Sequence, residues 1–256
     1  MKHYDVFIPV RLSSSRLPHK AMSLIEKKPV IQYLLERLQH TKKIRKIIVC
    51  TTRNRSDDTL VDFLENKKID VFRGDEQDIL VRFLDASKQY DTKFAVIVDG
   101  DDIYSDPVLV DLIIDEFEKT NSDYIQITGP PVGFTPLGVK TSALRKICEI
   151  KKSKITDTGY GRFFTDNENL FDIHMLKVNV QRNFQTDLRL SLDYKEDLKL
   201  ATEIFKQIGN DFHLDDILKL LEEQQHLLHF VKISESRWNN HWNANLADTS
   251  VNNDAK

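Results

Sequence analysis

Two cysteines in 256 residues leave little room for sulfur chemistry. Cys50 and Cys148 share no metal-ligand spacing, and Cys50 closes the apolar run "KIIVC", which reads as a buried thiol. A structural disulfide is not expected in a chain of this size without signs of secretion. Long apolar runs are missing too. None approaches the ~18 residues of a membrane span, and the opening "MKHYDVFIPV" is too short and too polar for a signal peptide. The expectation is a cytoplasmic protein without a membrane partner. One-signed charge is also absent: a net charge of −3 offers no broad positive field, which argues against nucleic acid as a general partner. The eight histidines show neither HExxH nor another paired-ligand spacing, so no zinc site is implied. The run "SSS" has no GxSxG setting and no recognisable base nearby, which leaves acyl transfer without support. Neither usual phosphate signature, GxxxxGK(S/T) or GxGxxG after a strand, occurs. There is no internal repeat and no low-complexity tract.

What is present is an ordinary globular composition, 40% hydrophobic and 30% charged, enough for a sizeable core in one α/β domain with or without an embellishment. Strand and helix patterns alternate. "DVFIPV" reads as a strand, and "KPVIQYLLERLQHTKK" as a helix ending in lysines. "KIIVCTT" is the next strand, followed by a helix over "SDDTLVDFLENKK" that Ser56 should open. "IDVFRGD", "FAVIVDGDD" and "DYIQITG" continue the strands. Between them stand helices over "DILVRFLDASKQY" and "DPVLVDLIIDEFEKTN", the latter capped by Asp106 before Pro107. Such alternation predicts a mostly parallel sheet covered by helices on both faces, with ligands beyond the carboxyl ends of the strands. After residue 130 the rhythm changes. "GPPVGFTPLGVKT" reads as a loop and "SALRKICEIKKSK" as a helix. "NLFDIHMLKVNV" reads as one or two strands, with an antiparallel extension possible. "LRLSLDYKEDLKLATEIFKQI" looks like a strand running into a helix, and "HLDDILKLLEEQQHLL" like a further helix. The polar end "NANLADTSVNNDAK" is expected to fray. Residues 1–210 form the main domain in this reading, with an insertion about 130–185, and 211–256 form a C-terminal helix and tail.

Three stretches carry candidate chemistry. "VRLSSSRLPHKAM" places Arg11, Arg16 and Lys20 around Ser14 and Ser15 just past a strand. A solvated loop is the plain reading. Backbone N–H groups, hydroxyls and converging cations are also what a triphosphate requires. "VDGDDIYSDP" crowds Asp99, Asp101 and Asp102 at a strand end, where Gly100 permits a tight turn. Such crowding costs free energy without a compensating cation, and Mg²⁺ suits carboxylate and phosphate oxygens. "LSLDYKED" sets Asp193 at the end of an alternating stretch, far along the chain from Asp101. Two such carboxylates meeting across the sheet could hold one metal.

Together these stretches resemble a known family. "IPVRLSSSRLPHKAM" is similar to the signature of the cytidylyltransferases that activate acidic sugars, the CMP-Kdo and CMP-sialic acid synthetases. "VFRGDEQDILVRF", "VDGDDIYSDPVLVD", "LRLSLDYKEDLKL" and "FHLDDILKLLEE" resemble, in order, the motifs of its spore-coat-polysaccharide, SpsF-like branch. The resemblance implies an α/β Rossmann-like nucleotidyltransferase fold and transfer of CMP from CTP to a sugar or sugar acid for a surface polysaccharide, with pyrophosphate leaving. Arg11, Ser14, Ser15, Arg16 and Lys20 would embrace the CTP phosphates. Arg16, Lys20 and Asp101 would be catalytic, and Asp101 and Asp193 would carry Mg²⁺. Arg73, Gly74, Asp78 and Arg82 would lie near the nucleoside or shape its pocket. Ser13 and His19 stand where the family usually has Gly, and His tolerates left-handed backbone better than most residues. The acceptor half departs most, reading "KITDTGYGRFF", and Lys140, Asp157, Tyr160 and Arg162 are its candidate lining. Relatives are often dimers, so a homodimer through residues 130–185 is possible. Use of another nucleoside triphosphate, or a non-catalytic nucleotide- or sugar-binding paralogue, remains the alternative. Trp238 and Trp242, four apart, would share a helical face.

Overall fold

The computed structural model describes residues 2–184 and 188–252. In chain order its elements are β1 (Tyr4–Pro9), the hairpin β2 (Leu24–Ile25) and β3 (Lys28–Pro29), α1 (Val30–Leu38), β4 (Lys46–Thr52), α2 (Asp58–Asn66), β5 (Asp70–Gly74), α3 (Ile79–Tyr90), β6 (Phe94–Ile97), α4 (Pro107–Thr120) and β7 (Tyr124–Thr128). There follow β8 (Leu137–Lys140), α5 (Thr141–Ile150), α6 (Arg162–Thr165), β9 (Ile173–Lys177), α7 (Lys195–Ile208), α8 (Leu214–Glu223) and α9 (Leu228–Asn245). A seven-stranded sheet runs β5-β4-β1-β6-β8-β7-β9, with the β2–β3 hairpin separate. Only β8 is reversed within it, antiparallel to both β6 and β7. The mostly parallel α/β architecture read from the sequence is the one the chain adopts.

Alternation along the central strands divides the core in two. Val6 and Ile8 of β1 and Val96 of β6 enter one apolar cluster with α1, α4, α7 and α8. Phe7, Ile48, Cys50, Ala95 and Ile97 enter another with α3, α5 and α6. Strands buried on both faces need apolar side chains at every position, which is why these runs are continuously hydrophobic.

Four local readings change. Asn54, not Ser56, caps the turn before α2, its side chain accepting from Ser56 N at 3.0 Å. The stretch read as a Pro/Gly loop contains β8, whereas "NLFDIHMLKVNV" gives a strand parallel to β7. A Cβ at Gly138 would lie 2.4 Å from the Phe94 ring, so this strand needs a residue without a side chain, and the glycine masks it. Residues 188–192 form no strand but make an isolated bridge, Val132 with Arg189. The polar end is held by backbone pairing: Asn252 N donates to Ile150 O at 2.8 Å and Lys152 N to Ser250 O at 3.1 Å. Residues 253–256 of that tail lie outside the described residues. Among the described residues no helix is long and apolar enough to cross a membrane.

Candidate active site

The parallel strands β1, β4, β5 and β6 end on one side of the sheet, and the loops leaving them meet there. The first loop is tied at its base. Leu12 N donates to Asp57 Oδ1 at 2.7 Å, and His19 N closes back on Leu12 O at 3.0 Å. His19 takes φ 59°, the left-handed geometry for which Gly is the usual choice. That fold-back ends in the turn Lys20–Met22 and turns Lys20 inward, where only 9% of it is exposed. The loop after β6 is pressed against the end of β1: a Cβ at Gly100 would lie 2.9 Å from Pro9 O. Gly100 is thus the position that lets Asp99 and Asp101 approach the cationic loop.

Asp101 and Asp193, 92 positions apart in sequence number, share one ammonium. Lys20 Nζ is 2.8 Å from Asp193 Oδ1 and also pairs with Asp101. Arg16 reaches the same Asp193 oxygen at 2.8 Å. The other Asp193 oxygen faces Arg189 Nη1 at 3.4 Å and accepts from Ser191 Oγ at 3.2 Å. Asp193 is only 2% exposed. Burial alone would raise its carboxyl, but the Lys20 and Arg16 charges outweigh it and hold it below the usual carboxylate range. Burial also works against the Lys20 ammonium, yet Asp101 and Asp193 more than offset this and keep its pKa above the ordinary lysine value. The Asp101 carboxyl moves up, burial being the main cause. Asp99 is pushed up to about 7 by burial and by Asp101, and it accepts from Tyr160 Oη at 2.8 Å. This site therefore holds more acid than its cations neutralise on the β6 side, while around Asp193 the cations Lys20, Arg16 and Arg189 are matched by Asp193, Asp101 and Asp197.

The remaining expected residues divide. Arg11 pairs with Asp157 and donates to Glu76 O at 3.3 Å, so it links the first loop to the loops of the opposite rim. Ser14 Oγ accepts from Leu17 N at 3.4 Å, while Ser15 is exposed. Arg73 holds the β4–α2 connection, donating to Thr52 O and Asn54 O, each at 2.8 Å. Arg82 is buried beneath the turn after β5, donating to Asp75 O at 2.7 Å and Glu76 O at 3.0 Å, and a Cβ at Gly74 would lie 2.7 Å from it. Asp78 caps α3 through Val81 N at 3.2 Å and pairs with Lys151. These three side chains, with Gly74 packed on Arg82, are spent on holding the loops of the crevice wall. Asp157 and Tyr160 line it. Lys140 does not: it is paired in register with Phe94, at the opposite end of β6, and lies 3.6 Å from Asp123. The reversal of β8 carries it there. Arg162 points to Asp166 at 2.7 Å rather than to the carboxylates.

Among the described residues no group of three or more His, Cys, Asp or Glu side chains is gathered tightly enough to hold a metal by itself. Two carboxylates around one cation is a different arrangement, suited to an ion that takes its other ligands from phosphate and water.

A cytidylyltransferase family model matches residues 6–233, spanning all of these loops. The chain belongs to the cytidylyltransferase family. An uncharacterised protein of Methanocaldococcus jannaschii is 31% identical over 199 residues, 78% of this chain and 82% of that one. The spore coat polysaccharide biosynthesis protein SpsF of Bacillus subtilis is 24% identical over 221 residues, 84% of this chain and 92% of its own. A solved cytidylyltransferase from Leptospira borgpetersenii superposes with a TM-score of 0.81 at 22% identity, covering 89% of this chain and 97% of the other. This cytidylyltransferase shares that nucleotidyltransferase fold.

Residues outside the sequence expectation hold these loops in place. Asp57, fully buried, anchors the first loop; as an acid in a helix's first turn it was indistinguishable from routine capping. Arg189 and Ser191 alternate with Asp193, so period-two spacing placed all three on one side, and that signal was available. Asp197 Oδ2 accepts from Asp193 N and Tyr194 N, each at 2.8 Å, fixing the turn into α7.

Proposed function

We propose that the enzyme transfers CMP from CTP to a hydroxyl of a sugar or sugar acid and releases pyrophosphate, in the synthesis of a surface polysaccharide. The observation that carries this reading is the meeting of Asp101 and Asp193 on Lys20 beside Arg16. A buried carboxylate ringed by cations belongs where a polyanion and its counter-ion come and go. The acceptor oxygen attacks the α-phosphorus, the bond from that phosphorus to the bridging oxygen breaks, and pyrophosphate leaves with the electron pair. The hydroxyl proton passes to water. Arg16 and Lys20 neutralise the five-coordinate phosphorus and the leaving pyrophosphate, with Arg11, Ser14 and Ser15 on the phosphate path. The walls built by Arg73, Gly74, Asp78 and Arg82 shape the nucleoside side.

Asp101 and Asp193 fit Mg²⁺, since they already face a single cation in Lys20. Bound there, Mg²⁺ would supply charge neutralisation at the phosphate oxygens and acidify an adjoining hydroxyl. Lys20 already holds those carboxylate oxygens and supplies a second positive charge for the phosphates beside them.

The test is pyrophosphate release from CTP and Mg²⁺ with a panel of sugar acids that includes 3-deoxy-manno-octulosonate and N-acetylneuraminate. Release with at least one acid is expected; silence across the panel rejects the reading. Thermal unfolding with CTP, UTP, GTP and ATP assigns the nucleotide, because the true ligand stabilises by mass action and the others do not.

A further inference from the structure

The family match ends at residue 233, and the chain beyond it crosses the crevice. Helix α9 is pinned on one side next to Asp193. Ser234 Oγ donates to Asp197 Oδ1 and accepts from Arg189 Nη2, both at 2.8 Å, and Arg237 pairs with Glu196 at 2.7 Å. At its other end the chain is pinned next to Tyr160. Ala247 N donates to Thr158 O at 3.3 Å, and a Cβ at Gly159 would lie 3.0 Å from Leu246 Cδ2 and 3.7 Å from Trp242 Cη2. Asp193 and Tyr160 flank the carboxylates of β6, since Tyr160 holds Asp99 while Lys20 joins Asp193 to Asp101. The helix is therefore a strap anchored on both rims.

Its inward face follows from helical spacing. Ser234, Trp238, His241 and Trp242 fall on one stripe, four, seven and eight positions from the first anchor. Both indoles are half-buried and stacked, 5.3 Å between centroids and 15° from parallel. The buried Arg189 guanidinium lies 5.8 Å from the Trp238 ring. His241 sits in the same field: burial, then the charge of Arg16, depresses its imidazolium. The nucleoside side, by contrast, is walled by Arg73, Asp78 and Arg82 around β5, the opposite edge of the sheet.

We infer that Trp238, His241 and Trp242 form a wall of the acceptor sub-site, with the indole pair as the face on which the ring of a sugar acid packs. The inference rests on the cytidylyltransfer reading. Flat, rigid indoles supply contact area at little entropic cost, and a sugar ring presents an apolar face to them. This wall selects the acceptor and leaves CTP binding to the loops.

The enzyme's only tryptophans are these two, so intrinsic emission reads the wall directly. With Mg²⁺ and CTP present, emission of the intact chain is recorded while 3-deoxy-manno-octulosonate or N-acetylneuraminate is added, and pyrophosphate release is followed in parallel. An emission shift is expected with the acid that turns over. Trp242→Ala should raise that acid's KM about tenfold, with the KM for CTP within about twofold, and Trp242→Phe should restore most of the loss. Thermal unfolding checks that each variant folds; if Trp242→Ala does not, the Phe variant and the wild-type emission decide. Turnover with no emission shift and an unchanged acceptor KM overturns the wall, as does an equal rise in both KM values. If no acid releases pyrophosphate, the reading of the reaction fails instead. The emission titration then still judges the wall: a shift with either acid retains it, and no shift with both rejects it.

Discussion

Asp57 and Asp193 are both buried carboxylates at the rim of the same sheet, and they are satisfied in opposite ways. Asp57 is surrounded by neutral donors of the fold itself: Leu12 N, Thr51 Oγ1, and the backbone and hydroxyl of Thr52. Asp193 is surrounded by cations, Lys20, Arg16 and Arg189. A carboxylate in a neutral cage is architecture, because every bond it makes is internal and nothing is left over to answer a ligand. Those cations are held by carboxylates, Lys20 by Asp101 as well and Arg189 by Asp197, and a phosphate is the kind of group that can exchange for a carboxylate on them. The rim above β4 fixes the loop; the rim before α7 carries the ion pairs on which the proposed chemistry rests.

Three substitutions would break or sharpen this contrast. Asp57→Asn should cost about 3 kcal/mol of stability, because one amide N–H₂ then faces buried donors, and urea unfolding measures it; an unchanged midpoint would erase the distinction. Asp193→Asn should lower turnover more than about tenfold and also lower the melting temperature while the chain still folds, since buried Lys20 and Arg189 each lose a carboxylate partner but keep another. Unchanged pyrophosphate release would remove Asp193 from the site. Arg73→Ala should do least. Its side chain is one-third exposed and its ion pair with Asp58 is screened, so about 1 kcal/mol or less of stability is lost, and a turnover loss as large as that of Asp193→Asn would move Arg73 from wall to ligand contact.

Much of this was legible in the sequence, for physical reasons. The run of strands from β1 to β7 was visible because a parallel sheet buried on both faces demands unbroken apolar segments between amphipathic helices. The meeting of Asp101, Asp193 and Lys20 was foreseeable because each stands where a strand or an extended stretch gives out, and such ends converge. Strand β8 was hidden by Pro136 before it and Gly138 within it, which signal a loop locally, although Gly138 here satisfies close packing against Phe94. Residues 188–192 looked like a strand because apolar and polar residues alternate, yet all five are buried and their backbone pairs through Leu190 N to Val132 O and Leu192 N to Asp101 O rather than in a ladder. Side-chain pattern reports burial and not hydrogen-bond partners. Lys140 was misplaced for a topological reason, since chain proximity says nothing about which end of the sheet a reversed strand occupies. The tail deceived by its polarity: backbone pairing attaches it together with the few side chains that pack or bond, Ala247 and Val251 against the core and Thr249 to Asp166.

Gly133 gives the acidic rim its height. With φ at +85°, a Cβ on it would sit 2.4 Å from Ser191 N and 2.6 Å from Leu190 C, so the chain carrying Asp193 rests directly on a bare α-carbon. A single added methyl would lift residues 190 and 191, and Asp193 with them, while leaving every charge of the crevice in the sequence. The spacing between Asp101 and Asp193, which share the Lys20 ammonium, is thus gauged by the thickness of a hydrogen atom, at a residue that touches neither. A change at a residue outside the ion pairs can thus retune how Asp193 meets Lys20, and the shortest route for such a change runs through that contact.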